Sequence, residues 1–348
     1  MGAKKESESY LILRPKAQEH QLCSGARLDN TEISALKMPL TPSMLLELAT
    51  ATAWTFYYIL EAGVKLFIPS KMFHKDITGQ IVLVTGGGSG IGRLMCLKYA
   101  EMGARVVTWD INSAGNQETA DMLKAKGYEG FAFTVNLANK DEIYEAAKVT
   151  KDQVGIVSIL VNNAGIVSGK RLLETPDSVI VRSFEVNVLS NFWTIKAFLP
   201  DMLEQKCGHI VTIASLAGQA GTNKLVDYCA SKFACVGLDE ALRVETLVQG
   251  NSDFLKTTVV CPAYINTGMF DGVQSKIIQI LDPQFVADQV VDATLSNKAI
   301  LMLPWWTSYI IMLKHLVPSP AMMKLSTAFG SNCSMDQFTG RDSDKKNL

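Results

Sequence analysis

From about residue 78 the chain alternates short apolar runs with longer stretches of helical character. The runs at 81–84, 105–109, 131–135, 158–161, 210–213 and 257–260 have strand length and read as continuously apolar. That pattern predicts parallel strands covered on both faces, since a half-exposed strand would alternate instead. Their alternation with helical stretches predicts an α/β class fold with a doubly wound parallel sheet, whose last strand spans 300–303 just before Pro304.

Two apolar segments flank this region. Residues 44–68 hold an uncharged stretch from Leu48 to Leu60 with Trp54, Phe56, Tyr57 and Tyr58, bounded by Glu47 and Glu61. Those 13 uncharged residues fall short of the about 20 that a spanning helix needs. Taken as a whole the segment can span with its charges near the ends, lie in the interface, enter one leaflet as a hairpin, or pack on the protein's own core. Membrane association is the favoured reading, and Pro69 ends any helix there. Lys65, Lys71 and Lys75 follow it, against Arg27 and Lys37 before it, which puts the following domain on the cytosolic side. The second patch, 305–317, carries Trp305, Trp306 and Tyr309 and is interrupted by Lys314 and His315. It reads as a membrane-interface element or a core helix.

Composition narrows the classes. Hydrophobic residues make up 48% of the 348 and charged residues 19%, below the roughly 25% of an ordinary soluble domain. Mean hydropathy is +0.14, so part of the chain faces lipid or a large apolar ligand. With 33 basic against 34 acidic residues there is no field to attract nucleic acid. Seven cysteines without close pairs and four dispersed histidines exclude a disulfide scaffold and a finger-type metal site; no metal is expected. The N-terminus shows no signal peptide, and Glu6 breaks the myristoylation pattern begun by Gly2.

Candidate chemistry sits in two constellations. Thr85, Gly86, Gly87, Gly88, Ser89, Gly90, Ile91 and Gly92 follow the first strand and open a helix. Such a turn lets backbone N–H groups approach a pyrophosphate at a helix N-terminus. Asp110 ends the next strand, 18 residues past Gly92, where a carboxylate binds both adenosine ribose hydroxyls and repels a 2′-phosphate. NAD is therefore expected over NADP. The second constellation is Tyr228 and Lys232, four apart on one helix face, with Ser215 at the end of the fifth strand. A neighbouring ammonium is expected to lower the phenol pKa and make Tyr228 a general acid or base. No G-x-S-x-G elbow surrounds Ser215, which disfavours a hydrolase.

With these residues, Asn163-Ala164-Gly165 after the fourth strand, Asn187, Pro262 and Thr267, the chain resembles the short-chain dehydrogenase/reductase family over roughly residues 78–300. The resemblance implies a seven-stranded Rossmann sheet and hydride transfer between a nicotinamide and an alcohol/carbonyl pair. It implies that Tyr228 exchanges the alcohol proton, Ser215 holds the substrate oxygen and Lys232 binds the nicotinamide ribose. Asn187 would support a proton-relay water, while Asn163, Ala164 and Gly165 line the adenosine. Two departures stand out. Asn136, followed by Leu137, replaces the usual adenine-contacting Asp, and the usual Pro-Gly pair reads Pro262-Ala263. The first predicts altered adenine contacts, the second a slightly less permissive nicotinamide loop.

Residues 109–112, 192–200, 227–233 and 267–270 are similar to a branch holding epidermal-type retinol dehydrogenases and lipid-droplet 17-beta-hydroxysteroid dehydrogenases. The expected layout is a polar disordered tail at 1–41, an anchor at 42–70, the catalytic domain at 76–298, and an apolar extension with a charged tail at 299–348. The expected activity is NAD-dependent oxidation of all-trans-retinol at an endoplasmic reticulum membrane or lipid-droplet surface, with a 17-beta-hydroxysteroid as alternative substrate. A non-catalytic lipid-droplet scaffold is the reading from another class. Homodimerisation is implied by resemblance alone.

Overall fold

The computed structural model describes residues 41–65, 67–328 and 330–341. Residues 1–40 of the expected polar tail and 342–348 of the expected charged tail lie outside the described residues. The chain divides into two compact units, with the boundary after Phe67.

The first unit contains α1 (Pro42–Lys65), a 24-residue helix without a buried residue. Trp54 packs against Tyr57 and Tyr58 at ring-centroid distances of 5.7 and 5.8 Å. Thr50, Thr52 and Thr55 donate their hydroxyl protons to the carbonyls of Glu47, Leu48 and Ala51, at 2.7 to 2.8 Å, so these polar groups are satisfied inside an apolar helix. Among the described residues no helix is long and apolar enough to cross a membrane. Glu47, Glu61 and Lys65 all fall within this helix, and the apolar anchor expected at 42–70 is not supported by it.

The second unit carries one seven-stranded parallel sheet: β1 (Ile81–Thr85), β2 (Arg105–Asp110), β3 (Gly130–Thr134), β4 (Val157–Asn162), β5 (Gly208–Ile213), β6 (Leu255–Pro262) and β7 (Ile300–Leu303). Their order is β3-β2-β1-β4-β5-β6-β7. The continuous apolar runs have the cause expected of them. Successive strand side chains point to opposite faces, and in β1 Val82 and Val84 enter one core cluster while Ile81 and Leu83 enter another. The first cluster is completed by α2 (Gly90–Glu101) and α8 (Pro283–Leu295), and the second by α4 (Lys140–Gln153) and α6 (Ser190–Glu204). Phe198 and Trp193 of α6 belong to that second core; the Phe198 ring lies 5.6 Å from Trp109.

The chain leaves β1 toward β2 on one side and reaches β4 on the other, so strand order reverses between β1 and β4. A ligand crevice opens at such a switch point, beyond the strands' C-terminal ends. The elements completing the unit are α3 (Ser113–Ala125), α5 (Asp177–Phe184), α7 (Val226–Val248), α9 (Thr307–Leu316) and α10 (Ser319–Ala328). The 305–317 patch is neither plain core nor plain surface. Ile310, Ile311 and Leu313 line a cavity, while the Trp305, Met312 and Leu316 side chains remain largely exposed.

Candidate active site

The turn after β1 is shaped by its glycines. Gly86 and Gly90 hold φ of +66° and +54°, the left-handed region that side chains resist. A Cβ on Gly92 would collide with the Gly86 carbonyl, and one on Gly88 would press on the Asp110 carboxylate at 2.9 Å. Thr85 stands beneath the turn. Its Oγ1 accepts the N–H groups of Asn163 and Ala164 at 2.9 and 3.1 Å and donates to the Val161 carbonyl. Asn163 returns its amide to the carbonyls of Thr85 and Gly86 at 2.8 and 3.3 Å. Backbone N–H groups at the start of α2 are thus presented by a turn clamped from β4.

Asp110 accepts the N–H groups of Gly88 and Asn112 at 2.9 and 2.8 Å, which fixes its carboxylate at the crevice edge. Arg93 is engaged in other bonds: it donates to the Gly88 carbonyl, to Thr119 and to the Glu118 carboxylate. A carboxylate in this position is suited to accept ribose hydroxyls and to repel a 2′-phosphate. Charged hydrogen bonds of this kind contribute about 1.5–3 kcal/mol each. Asp110→Ser is therefore expected to move the ratio of kcat/KM for NAD over NADP at least about tenfold toward NADP, measured by steady-state kinetics with both cofactors. An unchanged ratio would remove Asp110 from cofactor selection.

At the other end of the crevice α7 carries Tyr228 and Lys232, both buried. Lys232 Nζ donates to the Ile213 carbonyl at 2.9 Å and lies 5.7 Å from the centre of the Tyr228 ring. Ser215 acts to lower the pKa of the Tyr228 phenol, while its Oγ accepts the Ala217 N–H at 3.1 Å and donates to the Pro262 carbonyl at 3.4 Å. The expected depression of the Tyr228 pKa is not found in the free protein. Burial pushes the phenol well above its ordinary range and outweighs the lowering by Ser215, while burial also lowers Lys232. Both groups are held toward their neutral forms, since each charge would lose its hydration.

Asn187 lies in a π-helical turn, Glu185–Leu189, between α5 and α6. Its side chain accepts the Ile166 N–H at 2.8 Å and donates to the Ile166 carbonyl and Ser231, both at 3.0 Å. A Cβ on Gly165 would stand 3.3 Å from Asn187 Oδ1 and 3.5 Å from Lys232 Nζ, so the three converge.

One cavity of about 1240 Å³ joins these parts. It exceeds the 300–1,000 Å³ of an ordinary small-molecule site, leaving room for a dinucleotide and a second ligand. Gly86, Ser89, Gly90, Ile91, Gly92, Asp110, Asn136 and Leu137 line one part of it. Asn163, Ala164, Gly165, Ser215, Tyr228, Lys232, Pro262 and Thr267 line it as well. Thr85 and Asn187 do not; each works through backbone it holds. Asn136 accepts the Ala138 N–H at 3.2 Å through its side chain, and its N–H is taken by Glu142. Ala263 has no left-handed backbone, so the missing glycine costs no strain. Of the apolar residues after Thr267, Met269, Phe270, Ile277 and Ile278 reach the cavity, whereas Leu281 packs in the core.

Sequence reasoning assigned Arg93 to a helix and Arg341 to the charged tail, and gave Asp227 no role of its own. Asp227 is buried between the hydroxyls of Ser168 and Ser183, which donate to it at 2.8 and 2.9 Å, and so fixes the start of α7. Its place one residue before Tyr228 was the available signal.

The comparisons with known proteins agree with this geometry. The sequence matches the short chain dehydrogenase family over residues 80–277. The chain belongs to the short-chain dehydrogenase family. Human epidermal retinol dehydrogenase 2 is 41% identical over 82% of this chain and 92% of its own. Mouse estradiol 17-beta-dehydrogenase 11 is 41% identical over 79% of this chain and 91% of its own. The crystal structure of a short-chain dehydrogenase/reductase from Burkholderia phymatum in complex with NAD aligns with a TM-score of 0.64 at 26% identity, covering 70% of this chain and 95% of that one. This short-chain dehydrogenase is an oxidoreductase related to retinol and 17-beta-hydroxysteroid dehydrogenases.

Proposed function

We propose that the enzyme oxidises a lipophilic alcohol, all-trans-retinol to all-trans-retinal, at an endoplasmic reticulum or lipid-droplet surface with its catalytic unit in the cytosol. The observation that carries the reading is the single cavity. The glycine turn and Asp110 line it, and so do the apolar side chains of Met269, Phe270, Ile277, Ile310, Leu313 and Met323, with Ser215, Tyr228 and Lys232 in the same wall. An elongated apolar alcohol suits that wall, and a polar one leaves its hydroxyls unpaired against it.

Gly86, Ser89, Gly90, Ile91 and Gly92 would hold the cofactor phosphates, and Asp110 its adenosine ribose. Asn136, Leu137, Asn163, Ala164 and Gly165 would flank the adenosine, and Lys232, Pro262 and Thr267 the nicotinamide half. Bound NAD supplies the hydride acceptor. Ser215 Oγ would hold the substrate hydroxyl, and the Tyr228 oxygen, as a phenolate whose own proton has first passed to solvent, would take the alcohol proton as the C–H bond gives up a hydride. Lys232 favours the phenolate once its charge is drawn toward the phenol, and Asn187 positions the Ile166 and Ser231 segments behind it. Ser215, Tyr228, Lys232 and Asn187 all present argue against a scaffold, which needs none of them.

The surface reading is supported by α1, whose apolar and aromatic side chains are exposed, and by Trp305 and Tyr309, 6.0 Å apart and exposed. Aromatic residues of this kind suit a headgroup interface. Relatives of both substrate types keep the hydroxysteroid alternative open to the same test. Membranes containing the full chain, supplied with NAD and either all-trans-retinol or estradiol, should form NADH with retinol, and the activity should sediment with the membranes. Trp54→Asp with Tyr57→Asp should move it to the supernatant. Turnover with estradiol alone would replace the substrate, activity that never sediments would remove the surface reading, and silence with both would favour the scaffold.

A further inference from the structure

The last described residues return to the first motif. After α10 the segment 330–341 crosses the loop that follows β6. The Gln274 N–H donates to the Ser334 carbonyl at 2.9 Å, and the Thr339 N–H donates to the Asp271 carbonyl at 2.8 Å. Asp336 pairs with Lys224 at 2.9 Å, and Met335 is buried. Phe338 fills the space over Gly169, where even a Cβ would collide with its ring. This is a built strap, tied down along its length.

Its end is Arg341. One guanidinium nitrogen donates to the Thr267 carbonyl at 2.9 Å, and the other reaches Ser89 Oγ at 3.4 Å. Ser89 belongs to the glycine turn and Thr267 to the loop after β6. Arg341 therefore bridges two separate walls of the cavity that it also lines. Ser89 makes no capping hydrogen bond to α2, so its hydroxyl is not committed to the helix.

The charges point the same way. A dinucleotide brings two phosphate charges to a turn where Arg93 is already paired with Glu118. Lys232 is directed to the Ile213 carbonyl. Arg341 has only a carbonyl and a hydroxyl as partners, and no carboxylate pairs with it among the described residues. A planar guanidinium with spare donors is the side chain best suited to bind two adjacent phosphate oxygens.

We propose that Arg341 binds the pyrophosphate of NAD, so that the strap 330–341 holds the cofactor from outside the Rossmann fold. The inference rests on the NAD assignment and adds to it a residue beyond the matched family segment.

The test is equilibrium binding to the full chain, followed by calorimetry, with three probes: NADH, ADP-ribose, which keeps both phosphates but lacks nicotinamide, and adenosine, which has no phosphate. Arg341→Gln should weaken NADH and ADP-ribose alike, by about 10–100-fold, the range expected for a lost charged hydrogen bond. Adenosine affinity should stay the same, and Arg341→Lys should recover part of the loss. Salt should weaken ADP-ribose binding less steeply in Arg341→Gln than in the wild type. Unchanged ADP-ribose affinity in Arg341→Gln would overturn the proposal. Equal loss of adenosine affinity would also overturn it, by showing that the substitution disturbs the fold. If the wild-type protein fails to bind NADH, the NAD assignment falls as well, whereas normal wild-type binding with an indifferent variant sinks the strap alone.

Discussion

Tyr228→Phe should reduce kcat by about 10²–10⁴-fold while leaving NADH affinity within about twofold. The substitution removes one oxygen and little else. The ring stays in place against Phe270, 5.7 Å away in an edge-to-face contact, and α7 keeps its buried face. Lys232 keeps its hydrogen bond to the Ile213 carbonyl, so a nucleotide should find the same surroundings. What is lost is the oxygen proposed to take the alcohol proton. Positioned proton transfer contributes about 10²–10⁴-fold on its own. Single-turnover NADH formation and a fluorescence titration separate the two quantities. A variant that turned over at the wild-type rate would sink the mechanism, and one that lost NADH binding equally would mean that Tyr228 builds the site instead of acting in it.

Gly92→Ala should abolish measurable cofactor binding and lower the melting temperature by several degrees. The added methyl would collide with the Gly86 carbonyl and stand 2.7 Å from the Asn163 amide nitrogen. Neither can retreat freely: Asn163 is bonded to the Thr85 and Gly86 carbonyls, and the Gly86 N–H donates to the Trp109 carbonyl at 2.7 Å. Overpacking of this kind costs about 1–3 kcal/mol, and the strain falls on the turn that presents N–H groups to the phosphates. Gly237→Ala is the matched control. Gly237 lies inside α7 with open space around its Cβ position, so there alanine should add about 0.5–1 kcal/mol of stability. Calorimetric melting with an NADH titration reads both. Normal binding in Gly92→Ala would show that the turn can shift, and the close-approach argument would fail.

The strands were legible because burial on both faces leaves no polar positions in them: the run at 81–84 became β1, one residue longer, and 300–303 became β7 without change. The residues of the crevice were legible because phosphate and ribose binding require small or carboxylate side chains at fixed distances from a strand end. Which of them face the cavity was not. Thr85 and Asn187 sit in the motif yet turn their side chains to the backbone, a matter of orientation that spacing does not encode. The pKa of Tyr228 went the opposite way, because i, i+4 spacing reports the nearby ammonium and not the burial that both groups share. Arg341 looked like part of a solvated charged tail. Its placement depends on the Phe338 and Met335 contacts, which join segments far apart in sequence. Substrate identity lies in the shape of an apolar wall built from at least three segments, and no local pattern carries it.

The clamp under the glycine turn also orders events in time. Thr85 and Asn163 are 78 residues apart, and Arg341 meets Ser89 across 252. Such pairings close large loops, and the entropy of closure must be met before the contact returns anything. A growing chain that has made β1, β2 and β3 has the whole glycine motif but no β4 to hold the turn. NAD therefore has little to bind until β4 docks, and it cannot template the early sheet. It stabilises only the finished fold, by mass action. Addition of the nucleotide during refolding should slow unfolding more than it speeds folding, because its binding site belongs to the last part of the journey.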